Sequence, residues 1–250
     1  MGLYDSTNEE VKTFRGLHLY HFAISNCSQR VRLALEEKGL AWTSHLFDPL
    51  RNEHVTAEYR SINPKGVVPT LVHDGQVIVE SNDILQYLDE RFPEPPLQPT
   101  DPSDRSAMVE RLVESGAVQP AIKTLSHELL FKPFRKVGPD DIALYRASGA
   151  NPELADFMRD YAEDGPAWRE RGSAASAAMD AALERLDAAL RERPWLSGER
   201  YGLADVSWVV NTHRLVLAGY DFEAFPRLRA WHARAAARPS FDRAVASYRP

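Results

Sequence analysis

The chain is 250 residues long and has a single cysteine, Cys27, so no intrachain disulfide framework can hold it together. A lone cysteine is more often a small buried hydrophobe than a reactive thiol. No apolar run reaches the roughly 20 residues that a membrane-spanning helix needs. Positive charge is not in excess. The 30 Lys and Arg stand against 36 Asp and Glu, a net charge of −6, which excludes the basic footprint of a nucleic-acid binder. Metal-ligand spacings, a phosphate-cradling glycine loop, internal repeats and low-complexity tracts are missing. Residues 1–12 are polar and acidic, unlike a secretory signal, and the cytoplasm is the expected compartment.

What remains is an ordinary globular composition, 44% apolar and 26% charged, long enough for one large core or two smaller ones. Two stretches organise it. In the first, the alternation Leu17-His-Leu-Tyr-His-Phe22 predicts a strand. A short polar turn follows, then a helix with apolar positions Cys27, Val31, Ala34 and Leu35. In the second, a strand over 70–72, an Asp74-Gly75 hairpin and a strand over 77–79 are expected. They lead into a helix with Ile84, Leu85, Leu88 and Phe92 on one face and Ser81 as its candidate N-cap. Between the two, 42–47 reads as strand and 54–62 as a short helix.

Residues 1–16 read as a flexible arm, 17–92 as a mixed α/β domain, and the proline-rich 93–101 as a linker. From 102 to 250 the pattern is helical throughout. A helix starts near Asp101-Pro102-Ser103 and runs toward Leu130, with a kink expected at Pro120. The segment 131–150 reads as irregular or weakly helical. Helix resumes with the stripe Met179, Leu183, Leu186 and Leu190. The stretch 204–218 is apolar nearly all round and is the expected central helix, with Gly202 as its N-cap. Two further helices, 225–237 and 239–247, close the chain.

Four pieces occur in a telling order. They are the strand followed by Ser25-x-Cys27-Ser-x-Arg30-Val-Arg, then Val68-Pro69, then Glu80-Ser81, and late in the chain Leu196-Ser-Gly198 with Ala204-Asp205. Together they resemble the glutathione transferase superfamily over nearly all of residues 17–248. The resemblance implies an α/β thioredoxin-like N-terminal domain plus an all-α helical C-terminal domain. It implies a homodimer with glutathione as co-substrate, no metal, and no nucleic-acid or membrane partner. The Ser-x-Cys-Ser motif is similar to that of the zeta class, which includes maleylacetoacetate isomerase, and to that of bacterial tetrachlorohydroquinone reductive dehalogenases. One departure stands out. The family has Ser or Thr three residues before Asp205, where this chain has Gly202, a change that touches folding more than function.

The chemical task implied is thiolate formation. A free thiol has a pKa of about 8.5, and lowering it by about two units takes about 2.7 kcal/mol of preferential stabilisation of the anion. A hydroxyl donor at a helix N-terminus suits that task. Ser25 stands where the zeta and theta classes carry their active-site serine, and it is equally placed to cap the helix. Cys27 either accepts glutathione as a mixed disulfide, as the resemblance to the dehalogenases implies, or begins an inward-facing stripe. Val68-Pro69 resembles the family's cis-proline turn, whose exposed backbone pairs with glutathione; otherwise it is an ordinary strand-entry proline. Glu80 and Ser81 match the pair that takes the γ-glutamyl ammonium and carboxylate. Lys65 and His54 are candidates for the glycine carboxylate, or plain surface residues.

The second substrate is expected between the domains, against Phe22, Ala23, Ile24, the helix over 117–134 and the segment 208–213, with Trp208 as a wall. That wall reads as apolar and aromatic, suited to a hydrophobic, aromatic or halogenated electrophile. Arg111, Lys123, Arg135 and Arg214 are the cations available for an isomerase-type dicarboxylate, but no motif places them. His127 and His213 read as satisfied helix residues. The implied function is transfer of the glutathione thiolate onto such an electrophile. The alternatives are a reductive dehalogenase, β-etherase or maleylacetoacetate-type isomerase using Cys27, and a non-enzymatic binding protein that kept the fold.

Overall fold

The computed structural model describes residues 2–48, 51–148 and 152–248. The expected flexible arm is instead an edge strand, β1 (Leu3–Tyr4). It pairs antiparallel with β5 (Gln76–Ile78) through Leu3↔Ile78 and Tyr4↔Val77. Val11 is buried in the core just beyond it. The five-stranded sheet has the order β1-β5-β4-β2-β3, with β2 (Leu17–Phe22) parallel to β3 (Thr43–Phe47) and antiparallel to β4 (Thr70–His73). The β4–β5 hairpin turns on Asp74 and Gly75, whose φ angles of 49° and 84° match the short turn their residue types favour.

Helix α1 (Asn26–Glu37) buries Val31, Leu33, Ala34 and Leu35 against the sheet and against Ile84, Leu85 and Leu88 of α3 (Ser81–Arg91). The sheet's other face takes Tyr59 and Ile62 of α2 (Ala57–Ile62) against Tyr20, Val72 and Val77. Ser81 is not the cap of α3. Glu80 holds the N-cap position in a left-handed conformation, φ 64°, and Ser81 is the first helical residue.

The linker is pinned rather than loose. Buried Lys38 donates to the Pro95 carbonyl at 2.8 Å, and the buried Leu97 N–H donates to Asp89 at 2.9 Å. Beyond it, Asp101 caps α4 (Pro102–Ala117) by accepting the Ser103 and Asp104 N–H groups at 2.9 and 3.0 Å. Pro120 does not kink a continuous helix. The helix ends at Val118, and α5 (Gln119–Leu125) starts anew with the proline in its first turn, where its missing N–H matters least. Wide turns over Ser126–Phe131 continue it.

The segment expected to be irregular or weakly helical contains α6 (Pro139–Ser148). It is followed by α7 (Pro152–Glu163) and α8 (Pro166–Ala189). Tyr145, Phe157, Met158, Tyr161 and Trp168 from these three helices form a core of their own, joined by Val55 from the first domain. This segment is therefore part of a packed helical roof over the first domain. Helix α9 (Leu203–Leu217) runs through the centre of the helical domain, as its all-round apolar sequence requires. Helix α10 (Pro226–Ala236) and the short α11 (Pro239–Phe241) return the chain to α1, where Arg32 donates to the Ala244 carbonyl at 2.9 Å. Among the described residues no helix is long and apolar enough to cross a membrane.

Candidate active site

A cavity of about 360 Å³ lies between the sheet domain and the helical domain. Its floor is the start of α1. Ser25 is the N-cap of that helix, with φ −69° and ψ 119°, and its Oγ accepts the Ser28 N–H at 3.3 Å. The two readings of Ser25 are thus compatible. Its oxygen accepts as a cap, and its own proton has no acceptor among the described residues. Asn26 and Cys27 follow in the first helical turn, where backbone N–H groups lack intrahelical partners. Cys27 is half-buried and lines the cavity, whereas Val31, Ala34 and Leu35 of the same stripe are fully buried. The stripe's first member lies at the cavity's edge and not in the core.

The peptide bond between Val68 and Pro69 is cis, and both residues line the cavity. Neither the N–H nor the C=O of Val68 has a partner among the described residues. The preceding Val67 carbonyl is held by the Tyr59 hydroxyl at 2.7 Å and the Asn63 amide at 3.0 Å, which fixes the turn. Glu80 and Ser81 line the cavity beside it. Lys65 does not line it. Its ammonium lies 2.5 Å from the Glu80 carboxylate at the rim, where both side chains are more than half exposed. His54 does line it. Burial, with Arg135 nearby, pushes its pKa down to about 4, so the ring is neutral and can act as a hydrogen-bond group but not as a cation.

Behind Ser81 stands Arg30, fully buried and without a carboxylate partner among the described residues. It donates to the Ser81 hydroxyl at 3.2 Å, to Gln119 at 3.0 Å and to Asn211 at 2.7 Å. Burial lowers its pKa and Cys27, one turn earlier, opposes that shift. This hub ties α1, α3, α5 and α9 together behind the cavity. In the sequence Arg30 stands within the Ser-x-Cys-Ser-x-Arg run with no role of its own. That place was the signal.

The facing wall differs from expectation. Trp208 is not part of it. The indole is fully buried and donates to the Arg111 carbonyl at 2.8 Å, because a helix apolar all round packs its large side chains into the bundle. Ala23 is also absent. Its carbonyl turns to Arg32 at 2.7 Å, and Phe22 and Ile24 on either side line the cavity instead. Of the four candidate cations only Arg111 stays away, while Lys123, Arg135 and Arg214 all line the cavity. His127 lines it too, whereas His213 stacks on His232 and meets Phe241 edge-on. The wall is aromatic, as expected, but not poor in charge. No group of three or more His, Cys, Asp or Glu suited to holding a metal occurs among the described residues.

Comparison with known proteins agrees with this architecture. Residues 19–96 match the family model for the glutathione S-transferase N-terminal domain, and 166–234 match that for the C-terminal domain. Maleylacetoacetate isomerase of Pseudomonas aeruginosa is 31% identical over 237 residues, 94% of this chain and 98% of that one. The tetrachloro-p-hydroquinone reductive dehalogenase of Sphingobium chlorophenolicum is 28% identical over 244 residues, 90% and 94% of the two chains. Several other curated relatives, among them glutathione S-transferase 1 of Dianthus caryophyllus, match over only 41% to 48% of their own length. Among solved structures, the β-etherase LigF of Sphingobium sp. strain SYK-6 superposes with a TM-score of 0.78 at 28% identity, covering 91% of this chain and 98% of that one. Two family models in the right order and a relative similar along its whole length make this chain a member of the glutathione S-transferase family.

Proposed function

We propose that the chain is a glutathione transferase that uses Ser25 to stabilise the glutathione thiolate and delivers it to an electrophile held against the helical wall. The observation that carries this reading is the unused Ser25 O–H at the mouth of α1, inside a cavity that also presents the unpartnered backbone of Val68. The residues present fit the tripeptide. Val68 offers one N–H and one C=O to its backbone. Ser81, backed by Arg30, suits the γ-glutamyl carboxylate. Glu80 suits the ammonium, sharing its carboxylate with Lys65. His54 is the nearer candidate for the glycine carboxylate, as a neutral donor.

In the reaction, Ser25 donates a hydrogen bond to the sulfur while the unpaired N–H groups of the α1 first turn add a favourable field. A carbon–sulfur bond forms at the electrophile and its leaving group departs with the bonding pair. The thiol proton has already gone to solvent. Homodimerisation and a cytoplasmic location belong to the same reading. The exposed apolar Val109 and Val113 on α4 are compatible with self-association.

The test is thiolate absorbance of glutathione bound to the protein, followed across pH for wild type and Ser25→Ala. The expected result is ionisation about two pH units below the free thiol, near 8.5, and loss of that shift in the variant. A bound thiol that stays protonated in the wild type overturns the role of Ser25. Failure to be retained on immobilised glutathione favours a binding protein that kept only the fold.

A further inference from the structure

The helical wall of the cavity holds three cations from three separate elements. They are Lys123 on α5, Arg135 beyond the wide turn, and Arg214 near the end of α9. Lys38, Arg171 and Arg238 are paired with Asp89, Asp160 and Glu37, and the fully buried Arg30 and Arg32, without a carboxylate among the described residues, have neutral hydrogen-bond partners at both terminal nitrogens. Lys123, Arg135 and Arg214 have no carboxylate partner among the described residues either, and they face a cavity. Among the described residues Lys123 has neither an ion pair nor a hydrogen bond at its ammonium, which lies 3.9 Å from the centre of the Phe157 ring. Arg214 donates to the Ile24 carbonyl and lies over Phe131. Arg135 donates to the Tyr145 hydroxyl at 3.3 Å.

The surrounding acids do not fill the gap. Glu128, on the same turn as His127, is turned away to the Trp168 indole at 2.5 Å and to Lys132. Asp160 is taken by Arg159 and Arg171. Glu80 is paired with Lys65. Exposed Glu153 acts on Lys123 only from a distance, against the opposing Arg171 and Arg135, and burial still pushes the Lys123 pKa down to about 8. His127 sits among the three. Its Nδ1 faces the Lys123 carbonyl at 2.8 Å, and a carbonyl can only accept, so Nδ1 carries the proton and Nε2 is a bare acceptor. Nε2 is buried and without a partner among the described residues. Burial and the three neighbouring cations hold the ring neutral, with a pKa pushed down to about 3. Desolvated positive charge in a cavity, unmatched by the protein, is matched by what enters the cavity.

We infer that Lys123, Arg135 and Arg214 form an anion subsite, and that the electrophile is an aromatic carboxylate whose ring packs on Phe22, Ile24 and Phe131 while its carboxylate meets the cations. The inference rests on the transferase reading above for the reaction, but not for the binding. A planar carboxylate suits the remaining guanidinium N–H donors of Arg135 and Arg214, since one nitrogen of each is already committed.

The experiment compares 4-(chloromethyl)benzoate with its neutral methyl ester as acceptors of glutathione. In each, the glutathione sulfur bonds to the benzylic carbon, the carbon–chlorine bond breaks, and chloride leaves with the electron pair. Unreactive 4-ethylbenzoate and 4-ethylbenzamide are titrated by calorimetry in parallel. The expected result is a kcat/KM at least about tenfold higher for the benzoate than for the ester, in line with one or two charged hydrogen bonds. Binding of 4-ethylbenzoate but not of the amide should accompany it. In Lys123→Gln and Arg214→Gln both preferences shrink toward one. Equal turnover of the two electrophiles, or equal binding of the two unreactive probes, overturns the subsite and leaves the transferase reading standing. Selective binding of 4-ethylbenzoate with no turnover of either electrophile does the reverse. The wild-type comparison holds even if a variant fails to fold.

Discussion

The Ser197 hydroxyl accepts the Ala204 N–H at 3.1 Å, and a side chain at Gly202 would have to occupy the same space. A Cβ placed on Gly202 would come 2.8 Å from the Ser197 Oγ and closer still to the Leu97 carbonyl. The side-chain cap that a Ser or Thr at this position would supply therefore comes from Ser197 here. Asp205 completes it by accepting from Gly202, Leu196, Ser197 and the Trp231 indole. N-cap preference alone says that Gly202→Ser should gain a few tenths of a kcal/mol. The crowding says that it should lose about 2 kcal/mol, as overpacked sites do. Urea unfolding of the variant decides the sign.

A second prediction concerns the buried pair that anchors the linker. Lys38 and Asp89 lie 2.6 Å apart with side-chain exposures of 0% and 6%. Asp89 also accepts the Leu97 N–H, and Lys38 also donates to the Pro95 carbonyl. Asp89→Asn leaves the Lys38 charge buried without an anion, which costs about 3 kcal/mol or more. The denaturation midpoint should fall accordingly. The wild-type midpoint should change little with salt, because a buried pair is poorly screened.

Much of the first domain was legible because its signals are local. The alternation of Leu17–Phe22, the Ser25 cap, the Asp74-Gly75 turn and the Val68-Pro69 turn each follow from a few adjacent residues. What escaped is settled by distant partners. The two residues of β1 have no strand signal of their own and are fixed by pairing with β5. Helices α6 and α7 share a core contributed by three elements, and their opening prolines, Pro139 and Pro152, read as breaks although each sits at a helix start. The same holds for the cations of the cavity. Lys123 and Arg214 are far apart in sequence, and only the packing of α5 against α9 brings them to one wall.

The buried histidines give stability a definite pH dependence. Burial pushes the pKa of both His21 and His127 down to about 3, with the Arg32 guanidinium adding to the effect at His21. In the unfolded chain each returns to about 6.5. Between those values the unfolded chain binds more protons, so stability rises with pH. The contribution is complete above pH of about 6.5 and is lost progressively as the pH falls toward 3. At pH 5 each imidazole removes about 2 kcal/mol relative to neutral pH. The urea midpoint should therefore drop markedly between pH 7.5 and pH 5, and His127→Gln should flatten the slope. A midpoint that stays level over that range refutes the assignment.

The choice between the two thiol chemistries turns on Cys27. It lines the cavity two residues beyond Ser25, and its sulfur acts electrostatically on both Arg30 and Arg214. In a conjugating enzyme Cys27 forms no bond in turnover, so Cys27→Ser changes kcat/KM by no more than a few-fold. Ser25→Ala, losing one preorganised donor, lowers it by about 10²-fold. In a reductive dehalogenase the Cys27 thiolate attacks the sulfur of a glutathionyl-arene conjugate. The arene leaves with the electron pair and takes a proton from solvent. The resulting mixed disulfide is then resolved by a second glutathione, which ends as glutathione disulfide. That route requires a glutathione adduct on Cys27 in the mass spectrum of protein quenched during turnover, and Cys27→Ser abolishes it. The cavity's architecture favours the first outcome, because the unused proton of Ser25 is placed at the helix mouth and Cys27 sits beside it, half-buried at the cavity's edge.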